Sequence, residues 1–159
     1  MNIVFVSAES TPFVKVGGLA DVVGTLPAIL KKMGHRVCIV LPHHGRINDK
    51  KFGITIAERF DMSWNGSVCH VEVSSVVRDG VSYYFIRGWP YFSANEDFVY
   101  SSDEGIDVGR FLFFSEATLL FIRQLAAREG WAPDIFHVND WHTGTLPFVL
   151  RRVHYDDPL

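Results

Sequence analysis

Apolar positions along the chain change period several times, and each change marks an element. Ile3 to Val6 is a short unbroken apolar run, the pattern of a strand covered on both faces in a parallel sheet. From Leu19 the apolar residues Val22, Val23, Leu26, Ile29, Leu30 and Met33 recur at helical spacing, Gly34 supplies the stop, and Pro27 is placed to bend the helix. Val37 to Leu41 is a second buried run. The opening is therefore strand, glycine-containing loop, helix, strand: a βαβ unit with a right-handed crossover.

The middle of the chain follows a different rule. Ile54-Thr55-Ile56, Cys69 to Val77 and Val81 to Ile86 are rich in β-branched and aromatic residues, and Asn65-Gly66 and Asp79-Gly80 are hairpin turn signals. They predict an antiparallel or mixed excursion inserted into the αβ pattern. Trp89-Pro90-Tyr91-Phe92 then leads into a polar stretch holding Asn95, Glu96, Asp97, Ser101, Ser102, Asp103 and Glu104, expected to be an exposed loop. A long helix is predicted from Asp107 to Arg128 with Phe111, Phe114, Thr118, Phe121, Ile122 and Leu125 inward and Gly130 at its end. Ile135 to Val138 reads as a third parallel strand, and Thr143 to Leu150 as a further helix despite Pro147. A doubly wound sheet would continue with another strand, so the chain end at Leu159 reads as a cut at a domain or subdomain boundary.

Composition narrows the function classes. With 15 Lys plus Arg against 18 Asp plus Glu, a net charge of -3 gives no reason to expect nucleic-acid binding held by bulk positive charge. The 48% apolar content over 159 residues suits one compact domain. No uncharged apolar stretch approaches the roughly 18 residues of a membrane span, and Met1 to Val6 lacks the basic leader of a signal peptide. Cys38 and Cys69 form no CxxC pair and fit two small buried thiols in a reducing compartment, with a disulfide between them as the alternative, so a soluble cytoplasmic protein is expected.

In an open parallel sheet, ligands bind beyond the carboxyl ends of the strands. The loop Lys15-Val16-Gly17-Gly18-Leu19-Ala20-Asp21 lies at one such end. Paired glycines bring backbone close to a ligand, the helix start offers N–H groups to an anion, Lys15 suits a phosphate, and Asp21 suits sugar hydroxyls. The same residues equally make a plain turn with an acid complementing the helix start. This is neither the GxGxxG fingerprint nor the GxxxxGK[ST] phosphate loop.

The second loop is His137-Val138-Asn139-Asp140-Trp141-His142. Its amide, acid and imidazole suit a polyol, while a capping Asp140 and a packed Trp141 are the plain alternative. A metal site is disfavoured because strand parity puts His137 and Asn139 on one face and Asp140 on the other. His43-His44 either lines the cleft or faces solvent. Tyr83, Tyr84, Phe85, Trp89, Tyr91 and Phe92 either stack on carbohydrate or fill the core. No GxSxG elbow or HExxH helix is present.

Taken together, Lys15 to Gly24 and His137 to Gly144 resemble the bacterial glycogen synthase and plant starch synthase family, and Ser7-Ala8-Glu9 and Leu41-Pro42 fit it too. The resemblance implies an α/β, Rossmann-like parallel-sheet sandwich with an inserted antiparallel hairpin region, the amino-terminal domain of a GT-B architecture, over residues 1–159 and cut before its natural end. It implies a retaining glycosyltransferase that moves glucose from the donor substrate ADP-glucose to the non-reducing 4-hydroxyl of an α-1,4-glucan, with no cofactor and no metal. By similarity, Lys15, Gly17 and Gly18 approach the donor diphosphate, while Asp21, Asp140 and His142 border the sugar and acceptor. The family's threonine-valine-histidine-asparagine segment would follow Leu159, and its carboxyl-terminal domain is missing, so this piece alone is expected to be inactive. A glucan-binding remnant and a GT-B transferase using another nucleotide-sugar are the competing readings.

Overall fold

The computed structural model describes residues 1–93, 98–152 and 156. The expected opening unit is present as β1 (Asn2–Val6), α1 (Leu19–Lys32) and β2 (Arg36–Pro42). β1 pairs with β2 in parallel, with Val4 opposite Cys38. After a one-turn helix α2 (Asp49–Phe52), the chain builds β3 (Thr55–Trp64), β4 (Ser67–Arg78) and β5 (Val81–Gly88) as an antiparallel meander. Both turns have positive φ at two successive residues, Asn65 with Gly66 and Asp79 with Gly80, as type I′ hairpin turns require. β5 then runs parallel to β2, so the meander extends the same sheet.

α3 (Glu104–Glu129) carries the chain back across the sheet to β6 (Ile135–Val138), which pairs in parallel with β1. The sheet order is β3-β4-β5-β2-β1-β6. Because the parallel strands alternate, they feed two cores. Val4, Val6, Val40 and Ile86 meet the aromatic face of α3, including Phe114 and Phe121. Ile3, Phe5, Ile39 and Phe85 meet Val23 and Leu26 of α1. All six inward residues predicted for α3 are buried, yet so are Arg110, Phe113 and Leu119. The helix is enclosed on most of its circumference, as fits a long crossover packed under loops as well as on the sheet.

Several expectations need correction. β3 has ten residues, not the three of Ile54 to Ile56. Its apolar residues Phe60, Met62 and Trp64 alternate with Arg59, Asp61 and Ser63, because an edge strand covered on one face needs only every second position. Glu104 belongs to α3 rather than to the preceding loop, since the Asp103 carboxylate accepts the Gly105 N–H at 2.9 Å and starts the helix there. Asn95, Glu96 and Asp97 lie outside the described residues. The last helix, expected from Thr143, begins at Leu146 as α4 (Leu146–Arg152), and Thr143 instead ends a preceding 3₁₀ turn (Trp141–Thr143). Pro147 falls in the first turn of α4, where a missing N–H costs no helical bond. His43 and His44 are both fully buried, which excludes a solvent-facing pair. Tyr83, Phe85 and Phe92 are core residues, packed around Phe13 or against α3, while Trp89 is exposed. Cys38 and Cys69 are free and buried, and burial pushes the Cys38 thiol up to about 12. Among the described residues no helix is long and apolar enough to cross a membrane.

Candidate functional site

The path from β1 through α1 steps to β2 on one side, whereas α3 returns the chain to β6 on the other. The carboxyl ends of β1 and β6 therefore form the switch point of the sheet, where the two following loops diverge and where open α/β sheets bind their ligands. Both loops singled out in the sequence leave from this point.

The loop after β1 is built from its own polar side chains. The Ser7 hydroxyl donates to the Glu9 carbonyl at 2.9 Å, which turns the chain out of the strand. The His44 ring nitrogen Nε2 lies 2.8 Å from the Ala8 carbonyl oxygen; a carbonyl only accepts, so Nε2 carries the proton. Burial drives His44 down to about 3, and the ring is neutral. Thr11 ties the loop to α1 through its N–H and hydroxyl, both donating to the Ala20 carbonyl at 3.0 and 3.2 Å. Gly24 makes that approach possible: a Cβ there would collide with the Thr11 hydroxyl and lie 2.8 Å from the Thr11 carbonyl oxygen.

Lys15 and Asp21 meet. The ammonium bonds both carboxylate oxygens, at 2.8 and 2.7 Å, with each side chain about half exposed. Gly17 and Gly18 form the approach to α1, with Gly18 at its N-cap and open space where a Cβ would stand. The N–H groups of Val16 and Gly17 converge on a buried carboxylate of this chain, Glu9, with the Gly17 bond at 3.1 Å.

The loop after β6 leaves the neighbouring strand end. Asn139 spends its amide on backbone: Nδ2 donates to the Val6 and His137 carbonyls at 3.0 and 2.9 Å, locking the two strand ends together. The Thr143 hydroxyl accepts the Asn139 N–H at 2.7 Å and donates to the Asn139 carbonyl at 2.9 Å. Between them Asp140 is exposed and held at φ 65°, ψ 176°, a region that favours glycine, with its carboxylate accepting the Trp141 N–H at 2.6 Å. His137 stacks on Phe5 at 4.4 Å and serves the core.

His142 is 5% exposed and lies among Tyr100, Phe111 and Trp141, stacked on Tyr100 with ring centroids 4.5 Å apart. Burial lowers its pKa, partly opposed by the carboxylates of Asp140, Asp107 and Glu9. Its Nδ1 has no hydrogen-bond partner among the described residues. The imidazole is therefore neutral and held by ring stacking, with Nδ1 turned into the protein.

Two residues that sequence reasoning did not nominate join the two loops. The Tyr100 hydroxyl donates to Glu9 at 3.2 Å while its ring covers His142. Burial, followed by the Glu9 charge, raises the phenol's pKa above its ordinary value, so it stays protonated and donates. Tyr100 is itself set in place by α3: Asp107 accepts the Ser101 N–H at 2.8 Å, and Arg110, ion-paired to Asp107 at 2.6 Å, donates to the Val99 carbonyl at 3.2 Å. Glu9 was marked by sequence only as part of the Ser7-Ala8-Glu9 segment that fits the family, with no role attached; nothing near Tyr100 marks it. Among the described residues no three His, Cys, Asp or Glu side chains gather as a metal-ligand group.

Comparison with known proteins gives this geometry a context. Residues 2–159 match the family model described as the starch synthase catalytic domain. The glycogen synthase of Thermotoga maritima is 43% identical over 99% of this chain and 32% of its own length. That of Exiguobacterium sibiricum is 38% identical over 98% of this chain and 31% of its own length. The solved catalytic domain of starch synthase IV from Arabidopsis thaliana, bound to ADP and acarbose, superposes with a TM-score of 0.81 at 26% identity, over 98% of this chain and 31% of that one. The chain thus spans about a third of the length of the relatives it matches. On a family match that runs nearly end to end, the chain belongs to the starch synthase catalytic domain family.

Proposed function

We propose that this chain is the amino-terminal part of a glycogen or starch synthase that transfers glucose from ADP-glucose to the non-reducing 4-hydroxyl of an α-1,4-glucan with retention. The observation that supports the reading is that both family loops leave the adjacent carboxyl ends of β1 and β6 and are bridged by Tyr100, which donates to Glu9 under the first loop and stacks on His142 of the second. Lys15 and the Gly17-Gly18 backbone approach the donor diphosphate, where a positive charge and a close backbone stabilise charge developing on the leaving group. The Lys15–Asp21 pair is half exposed and worth less than about 1 kcal/mol, so Lys15 is readily transferred to phosphate. Asp21 is thereby released towards sugar hydroxyls. Asp140 and His142 border the sugar and acceptor, the first as a hydroxyl acceptor and the second through a neutral ring.

A further domain completes the donor site, in keeping with the third of the relatives' length that this chain spans. The two free buried thiols fit a cytoplasmic setting. Incorporation of radiolabelled glucose from ADP-glucose into glycogen tests the reading, comparing this chain with one extended through its native downstream sequence. Activity in the extended chain alone is expected. Activity in the 159-residue chain would overturn the split site, and silence in both would move the assignment to a glucan-binding remnant or another donor.

A further inference from the structure

The anion-binding turn expected of the Lys15–Gly18 loop already holds an anion, and it belongs to this chain. Glu9 is 3% exposed, and its carboxylate takes the N–H groups of Val16 and Gly17 together with the Tyr100 hydroxyl. A buried carboxylate persists only when such donors replace its hydration. The contrast with the neighbouring pair is one of burial. Lys15 and Asp21 separate at little cost in water, whereas displacing Glu9 would leave two backbone donors and a charge unsatisfied inside the protein.

We propose that Glu9 is a positioning residue for donor binding: its carboxylate shapes the Lys15–Gly18 loop from beneath and, through Tyr100, fixes that loop relative to His142 of the second loop. This rests on the glucosyl-transfer reading above and deepens it. The Gly17 N–H is then a structural donor to Glu9, and Gly17 serves the diphosphate by the closeness of its backbone. The Ser7-Ala8-Glu9 segment gains a physical account as well. Ser7 makes the turn, the Ala8 carbonyl is held by His44, and Glu9 enters the loop it supports.

The test uses the full-length protein with Glu9→Ala, Glu9→Gln and Tyr100→Phe, measuring KM for ADP-glucose, KM for glycogen, kcat, and the rate at which trypsin cuts after the half-exposed Lys15. Glu9→Ala should raise the donor KM about tenfold or more, leave the glycogen KM within about twofold, and speed cleavage after Lys15. Glu9→Gln keeps a carbonyl acceptor for the two N–H groups and should recover most of the donor KM. Tyr100→Phe, which keeps the ring on His142, should give a smaller rise. An unchanged donor KM in Glu9→Ala overturns the proposal. So does a parallel loss in both KM values with faster cutting throughout the protein, which marks simple misfolding. If the unsubstituted protein transfers no glucose from ADP-glucose, the reaction reading and the donor half of this proposal fall together, and the cleavage rates alone decide whether Glu9 holds the loop.

Discussion

Asp140 offers a test that separates backbone strain from the loss of its carboxylate. Its φ of 65° and ψ of 176° place a Cβ where backbone sterics oppose it. The conformation is imposed from both sides: Asn139 is clamped to Val6, and Thr143 closes the turn onto Asn139. Replacing Asp140 by alanine deletes the carboxylate bond to the Trp141 N–H and keeps the Cβ; replacing it by glycine deletes both. Loss of the bond is common to the two variants, so their difference isolates the strain. Such a residue stores about 1–3 kcal/mol, and glycine returns about 0.5–1 kcal/mol through the freedom it adds to the unfolded chain. Asp140→Gly should therefore be more stable than Asp140→Ala by about 1 kcal/mol. Urea unfolding of the purified variants, followed by tryptophan fluorescence at equal denaturant slope, measures the difference directly. Both variants should lose glucosyl transfer in the full-length protein. An alanine variant as stable as the glycine variant would show that the backbone is relaxed, and the argument from strain to function would fail.

Gly88→Ala should destabilise the protein by about 1–3 kcal/mol in thermal or urea unfolding, because the new Cβ would collide with the fully buried Phe113 ring, 2.8 Å from Cε1 and closer still to Cζ; a neutral result would mean that the β5–α3 contact yields freely. His44 should make stability depend on acid. Its folded pKa is depressed to about 3 by burial, whereas the unfolded imidazole takes a proton near its ordinary value of 6.5, so the unfolded chain binds more protons between those values. Stability is then full above that window and falls as pH drops through it, by about 2 kcal/mol between neutrality and pH ~5. His44→Gln, which retains a side-chain N–H for the Ala8 carbonyl, should flatten this part of the urea-midpoint profile while His43 and His142, also lowered by burial, keep the remainder; an unchanged profile would remove His44 from the account.

Elements whose signals are local were legible from residue order. The unbroken apolar runs of β1 and β2, the helical spacing of α1 and α3, the paired positive-φ turns and the Gly130 stop each depend on neighbours a few positions away. A period of two or of 3.6 expresses that dependence without reference to the rest of the chain. The strand-end loops were legible as well, since a glycine pair before a helix and polar residues after a strand carry their own backbone preferences. The extent of β3 was harder to read, because its alternation acquires meaning only when α3 covers one face. Residues on one element could likewise be predicted to face inward without showing whether the rest of that element would be buried too, as Arg110 and Phe113 are.

The site itself was decided by packing at long range. The Tyr100 hydroxyl reaches Glu9 across 91 residues, and Asn139 reaches Val6 across 133. Neither contact leaves a mark on the residues beside its partners. Asp107 and Arg110 set the turn that delivers Tyr100, and His44 supports Ala8 from the next strand. From the order of residues alone came the family loops, the αβ frame and the side-chain types at the strand ends. Only the folded sheet, by placing the ends of β1 and β6 side by side, determined that Tyr100 bridges the two loops and that a buried carboxylate of the same chain already fills the nearest backbone donors. The physical reason is that periodicity is a property of adjacent residues, whereas satisfying a buried charge depends on whichever donors the whole fold brings within about 3 Å.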